Sequence, residues 1–249
     1  MVYTNEILTL AVEIGDSMLR NGAEIYRVED TVVHILKSYE VKEFDVYVIS
    51  NGIFASANEN QEDACSIVRH VPLGSVNLGK ISALNQLARD ICEHKISLID
   101  SWEELERCQN LPNYPNSLLV FFCGLGSAGF CYLFGGSALD SLFTFGIGIL
   151  EQLLLFALKK YNFSKIITNI FASLFVTLLA MLCMLTNLNL LQDKIIIGAI
   201  MPLVPGIAFT TAIRDIYNAD YLSGTIHLLD ALITAICIAV GACLPFGGL

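Results

Sequence analysis

From Ser117 to Phe134 the chain carries no charged residue. A run that long is about what a helix needs to cross the roughly 30 Å hydrocarbon core of a bilayer. Four further long apolar runs follow, at Leu139–Leu158, Ile166–Thr186, Ile195–Ile213 and Leu222–Leu244, with charged residues only at Asp140, Glu151 and Asp230. More than any other feature, these five segments limit what the chain can fold into.

The remainder has a different composition. Charged residues are 15% of the 249, against about 25% in an ordinary soluble domain. Of the 38 charged residues, 27 lie at or before Arg107. They are 18 acids and 9 bases, which reads as the solvated acidic surface of a separate N-terminal domain. The net charge of −10 argues against a nucleic-acid partner, which needs a basic footprint. Met1–Glu6 has neither a basic stretch nor an apolar core and is not a signal peptide. The eight cysteines form no C-x-x-C pair and sit mostly in apolar surroundings, as small hydrophobes. No metal site and no cofactor is expected.

In the N-terminal domain, Ile7, Ala11, Ile14 and Met18 mark one face of a helix over Thr4–Arg20, stopped by Asn21-Gly22. Ile25, Val28, Val32, Ile35 and Tyr39 mark a second helix. Phe44–Ile49 and Ile53–Ala57 flank Asn51-Gly52, a strong hairpin signal, and Ser66–Val71 adds a third strand. Helical period returns over Asn77–His94, and Ser101–Cys108 is a short charged helix. Residues 1–110 therefore read as a small α+β domain, 111–116 as a linker and 117–249 as the membrane domain. Lysines 159, 160 and 165 follow the second span and Arg214 the fourth, while Gly135–Ala138 has no base. The basic excess places the N-terminus in the cytoplasm and, with five spans, the C-terminus outside. An odd number of spans in a short chain suggests a unit completed by a second subunit.

The fourth span is interrupted. Pro202-Leu203-Val204-Pro205-Gly206 must bend or break the helix, and broken backbone at membrane depth marks a transport site. Pro205 and Gly206 would expose backbone dipoles, Thr210 and Thr211 would add hydroxyls, and a free half-helix N-terminus suits a carboxylate. These four are the expected substrate contacts, with a packing kink as the plainer alternative. Ionisable residues within spans are functional candidates. Glu151 is the deepest, and burial disfavours the charged form of a carboxylate, which makes it a candidate proton carrier. Asp140 stands at the mouth of span two. His227 and Asp230 share a helix face. Arg214-Asp215 is an inner gate or a topology anchor. Gly124-x-Gly126-x-x-Gly129 follows no strand and reads as close helix packing, not as a nucleotide loop. In the N-terminal domain Asp30 and His34 could share a helix face as metal ligands or an acid–base pair, but a solvated face explains them. Ser50 could be a nucleophile, but no G-x-S-x-G or H-E-x-x-H pattern supports an active site.

In order along the chain, Gly22-Ala23-Glu24, Arg27-Val28-Glu29, Ser50-Asn51-Gly52-Ile53 and Tyr114-Pro115 lead into the first span. Gly124-Leu125, Phe130–Leu133, Gly135-Gly136, Asp140, Leu203–Gly206, Ala212, Asp215 and Gly224 continue the set. This series resembles the threonine/serine exporter family, in particular the longer subunit of its split form (YjjP-type, beside a short YjjB-type membrane subunit). The resemblance implies proton-driven export of threonine, serine or dicarboxylates such as succinate. It implies a transporter and not an enzyme, in the inner (plasma) membrane, working with the small subunit or in a homo-oligomer. Two rival readings remain: a membrane-anchored hydrolase with its site in the N-terminal domain, and a sensor or assembly subunit with no transport path of its own. Anchoring needs one span, not five, which counts against the hydrolase.

Overall fold

The computed structural model describes residues 2–58, 64–72, 74, 76–186 and 188–247. The last two residues of the expected outward tail, 248–249, lie outside the described residues. The fold is mostly helical with one small sheet, and the chain divides into two compact units. Unit 1 is Met1–Pro112 with Arg214–Ile226; unit 2 is Asn113–Ile213 with His227–Leu249.

Unit 1 is built around α1 (Val2–Arg20). The 3.6-residue period identifies one apolar face, yet Leu8, Leu10 and Val12 are buried as fully as Ile7, Ala11, Ile14 and Met18. The helix is enclosed on several sides. At Gly15 an added Cβ would stand 2.9 Å from Val32 Cγ2 and 3.2 Å from Ile53 Cδ1, so α2 (Ile25–Ser38) and the sheet both close on this point. Gly22, with φ of +79°, ends α1 in the left-handed conformation that glycine tolerates. The strands β1 (Glu43–Ile49), β2 (Gly52–Asn58) and β3 (Ala64–His70) form an antiparallel sheet in that order. Val48 and Ile53 face each other on the buried side, and Tyr47, Phe54 and Val68 line up across the exposed side. Helices α3 (Leu78–Cys92) and α4 (Leu98–Gln109) complete the unit, with Asn77 and Ser97 accepting backbone N–H bonds as N-caps.

The hairpin turn differs from the expectation. Its two linking residues are Ser50-Asn51, and Gly52 already pairs with Ile49. None of the three takes positive φ, so the Asn-Gly pair is not a type I′ turn. The Asn51 carbonyl instead accepts the Val71 N–H at 2.9 Å, so chain beyond β3 holds the turn.

Unit 2 contains α5 (Asn116–Leu133), α6 (Ala138–Lys160), α7 (Lys165–Met184), α8 (Gln192–Ile200), α9 (Gly206–Tyr217) and α10 (Tyr221–Cys243), the last two only in part. Four helical segments, Asn116–Leu133, Ala138–Lys160, Lys165–Met184 and Tyr221–Phe246, are long and apolar enough to cross a membrane. The pair Gln192–Leu203 and Gly206–Tyr217 makes a fifth if counted as one broken span, bent by 58°. Each of its halves rises only about 18 Å, too little to cross alone.

Glycines set the helix contacts. A Cβ at Gly124 would meet the Phe145 carbonyl at 2.8 Å, and one at Gly148 would meet Ser127 Oγ at 2.5 Å. A Cβ at Gly198 would meet Cys131 Cβ at 2.6 Å, and one at Gly241 would meet Ser173 Oγ at 2.1 Å. The packing role expected of the Gly124, Gly126 and Gly129 string therefore belongs to Gly124 alone, because nothing lies within 4 Å of a Cβ at the other two. Within the stretch 117–249 the contact clustering is not uniform. Arg214–Ile226 clusters with the N-terminal elements, where Arg214 pairs with Glu24.

Candidate functional site

The residues expected to form the site fall into separate places. The first is the break in the fourth span. Val204 has φ −63° and ψ 129°, extended backbone between the 3-10 turn Met201–Leu203 and α9. Proline disfavours helical ψ in the residue before it, so Pro205 acts through Val204. Gly206 does not take positive φ, and nothing lies within 4 Å of a Cβ built on it, so neither strain nor close approach requires glycine there. The Pro205 carbonyl accepts the Phe209 N–H at 3.0 Å, which starts α9. The first-turn N–H groups of a helix have no partner four residues back and point out of its N-terminus. Thr210 is exposed and donates to the Gly206 and Ile207 carbonyls, both at 3.0 Å, leaving its oxygen able to accept. Thr211 is half-buried.

The second place is Glu151. It is fully buried, and neither carboxylate oxygen has a hydrogen-bond partner among the described residues. One turn earlier, Gly148 lets α5 come so close that its added Cβ would lie 3.0 Å from Gly124 Cα. The two helix backbones nearly touch beside this carboxyl. A polar group buried without a partner is costly to keep, which marks this carboxyl as a functional candidate. The buried hydroxyls of α7, by contrast, are satisfied within their own helix. Ser173 and Thr177 on α7 donate to the Asn169 and Ser173 carbonyls of their own helix, at 2.8 and 2.9 Å.

Asp140, also fully buried, has the opposite surroundings. One oxygen accepts the Ser137 N–H at 2.8 Å while Ser137 Oγ accepts the Asp140 N–H at 3.1 Å, a capping box that starts α6. The other oxygen accepts the Leu191 N–H at 2.9 Å, at the start of α8. Sequence reasoning had no signal for Leu191, fifty-one residues away.

The third place is the facing side of α7 and α10, where Asp230 accepts from Lys165 Nζ at 2.6 Å in a half-exposed pair. His227, one turn earlier on α10, is half-buried. The fourth lies in unit 1. Arg214 pairs with Glu24, and its guanidinium carbon stands 5.9 Å from the centre of the Tyr26 ring. Asp215 is 3% exposed and lines a cavity of about 270 Å³ with Tyr26, Glu29, Tyr47 and Asp220. Glu24 and Tyr26 went unassigned from sequence. The only signal for them was their place in the Gly22-Ala23-Glu24 to Glu29 series.

The other N-terminal candidates have ordinary surroundings. His34 Nδ1 lies 3.1 Å from Asp30 Oδ1 and 2.7 Å from the Asp30 carbonyl oxygen, and both side chains are exposed. Among the described residues no group of three or more His, Cys, Asp or Glu is placed to hold a metal ion. Ser50 Oγ is buried with no hydrogen-bond partner among them, so no base is positioned to activate it.

Long apolar helices, one of them broken, beside a small α+β unit define a multi-pass membrane protein. The family model described as "Putative threonine/serine exporter" matches residues 9–246, and the chain belongs to that family of transporters. No curated protein and no solved structure matched the chain in the comparisons made with each.

Proposed function

We propose that this chain is the longer subunit of a split exporter, moving threonine/serine-type amino acids or dicarboxylates such as succinate out of the cell with protons as the coupling ion. It lies in the plasma membrane with five spans, its N-terminal unit in the cytoplasm and its C-terminus outside. A short membrane subunit completes the transport path. Membership of the exporter family supports export of small polar metabolites. The observation that carries the coupling role is Glu151, a buried carboxyl with no hydrogen-bond partner among the described residues, which can take up or give up a proton without breaking a bond seen there.

The break at Val204–Pro205 offers the substrate carboxylate the first-turn N–H groups of α9, with Thr210 and Thr211 as further hydrogen-bonding groups. Asp140 is already committed to two backbone N–H groups, so we assign it to holding α6 against the start of α8 and leave proton coupling to Glu151. Asp230 pairs with Lys165 and, with His227, is assigned to gating. Arg214 and Asp215 form the inner gate.

The test is reconstitution of the chain in proteoliposomes with and without the short partner, under an imposed pH gradient, with a panel of amino acids and dicarboxylates. The expected result is export of a hydroxy amino acid or a dicarboxylate that needs both subunits and collapses with the gradient. Full export by the chain alone removes the split-subunit role. Export indifferent to the gradient removes proton coupling.

A further inference from the structure

Glu24 occupies the N-cap position of α2, where Ser, Thr, Asp and Asn are preferred for their short capping side chains. It makes no side-chain capping bond. Its carboxylate is turned instead to two arginines. Arg27, one turn along α2, donates to it at 3.3 Å, and Arg214, in the last turn of α9, pairs with its other oxygen. Tyr26 lies under the same Arg214 guanidinium. The first turn of α2 thus grips one cation in two ways, by charge and by the face of an aromatic ring. Burial pushes the Glu24 carboxyl up, but the Tyr26 hydrogen bond and the charges of Arg214 and Arg27 outweigh it and hold the group below its ordinary value. The next residue, Asp215, is buried.

The other end of α9 is the opposite case. Its N-terminus follows the extended Val204 and the Pro205 ring, a break bent by 58°. The side chains between, Ile207, Phe209 and Ile213, are largely exposed. A helix of 12 residues with a bend at one end and a grip at the other turns as a rigid piece about the bend when the grip opens.

We propose that Glu24, with Tyr26, is a positioning residue of the transport cycle: through Arg214 it holds the C-terminal end of α9, and the half-helix turns about Val204–Pro205 when that hold is released. The inference rests on the exporter reading above, but the hold itself can be measured without transport.

The experiment uses the full-length chain, purified in detergent for hydrogen–deuterium exchange of residues 206–217 and reconstituted with the short partner for export kinetics. Glu24→Gln and Arg214→Gln each raise exchange across 206–217 and lower maximal export about five-fold with little change in KM, the scale expected for losing one modest polar contact. Arg214→Lys, which keeps the charge, restores most of both. Tyr26→Phe keeps the ring over Arg214 but loses the hydroxyl bonded to Glu24 and shows part of both effects, and Tyr26→Leu, which loses ring and hydroxyl, shows more. Unchanged exchange in Glu24→Gln and Arg214→Gln overturns the hold, whatever export does. Raised exchange with normal export overturns the positioning role and leaves a static anchor. If the wild type exports nothing in the panel, the exporter reading falls and the exchange arms still decide whether Glu24 holds α9.

Discussion

Two buried carboxyls on one helix show how little residue type says about role. Asp140 and Glu151 are both fully shielded from solvent on α6. Asp140 accepts bonds from Ser137 and Leu191, while Glu151 has no partner among the described residues. Asp140→Ala removes a capping box and strands the Leu191 N–H, a loss of about 2–4 kcal/mol. It should lower the unfolding temperature of the purified protein, and Asp140→Asn, which retains one acceptor, should lower it by less. Glu151→Gln keeps the side-chain shape but removes the titratable group, and should leave unfolding and membrane abundance unchanged. Its export should drop at least about ten-fold, the effect of losing one proton-transfer group, and lose its dependence on the pH gradient. Normal gradient-driven export by Glu151→Gln would exclude it as the proton carrier. Sequence identified both residues by their cost inside an apolar run. It could not separate them, because the N–H that occupies Asp140 comes from Leu191 on another helix.

At the scale of elements, the break and the glycine crossings carry the argument. Val204 is extended because Pro205 follows it, so Pro205→Ala permits a continuous helix. Spin labels at Ile197 and Ile213, both exposed, should then move apart as the 58° bend opens, and export should fall. An unchanged distance would show that tertiary packing, not the proline, holds the bend. Gly198→Ala pushes a methyl onto Cys131 of α5 and should cost about 1–3 kcal/mol by overpacking. Gly126→Ala meets nothing within 4 Å and should stay within about 0.5 kcal/mol of wild type in the same unfolding assay. The elements themselves were largely legible. Apolar period located α1, α2 and α3, and long apolar runs located α5, α6, α7 and α10. The hairpin was found from its Asn-Gly signal, although Ser50-Asn51 makes the turn, since the Val71 bond that holds it comes from outside the hairpin.

At the scale of the whole molecule, the division into two units does not follow the division of composition. Arg214–Ile226 joins the N-terminal elements although it is flanked by apolar helix on both sides. The Glu24–Arg214 pair gives this grouping a pH dependence with a definite sign. Glu24 is held below its ordinary value by Tyr26, Arg214 and Arg27 against the opposing effect of burial. A depressed carboxyl stabilises the folded state above its unfolded value and loses that contribution as pH falls through the folded one. Protection of 206–217 from hydrogen exchange, corrected for intrinsic rate, should therefore be constant near neutrality and decline only as pH drops below about 4, the ordinary carboxylate range. The Glu24→Gln variant should lack that decline.

What the sequence determined by itself was the number and position of the apolar segments, the place of the break and the α+β character of the N-terminal part. These follow from local causes: the run length a bilayer demands, the period of a buried face, and the effect of proline on the residue before it. Only the tertiary structure decided which polar groups are occupied. Leu191 meets Asp140, Lys165 meets Asp230 and Glu24 meets Arg214 across 51, 65 and 190 residues of chain. Partners that distant are brought together by packing, which no local pattern encodes.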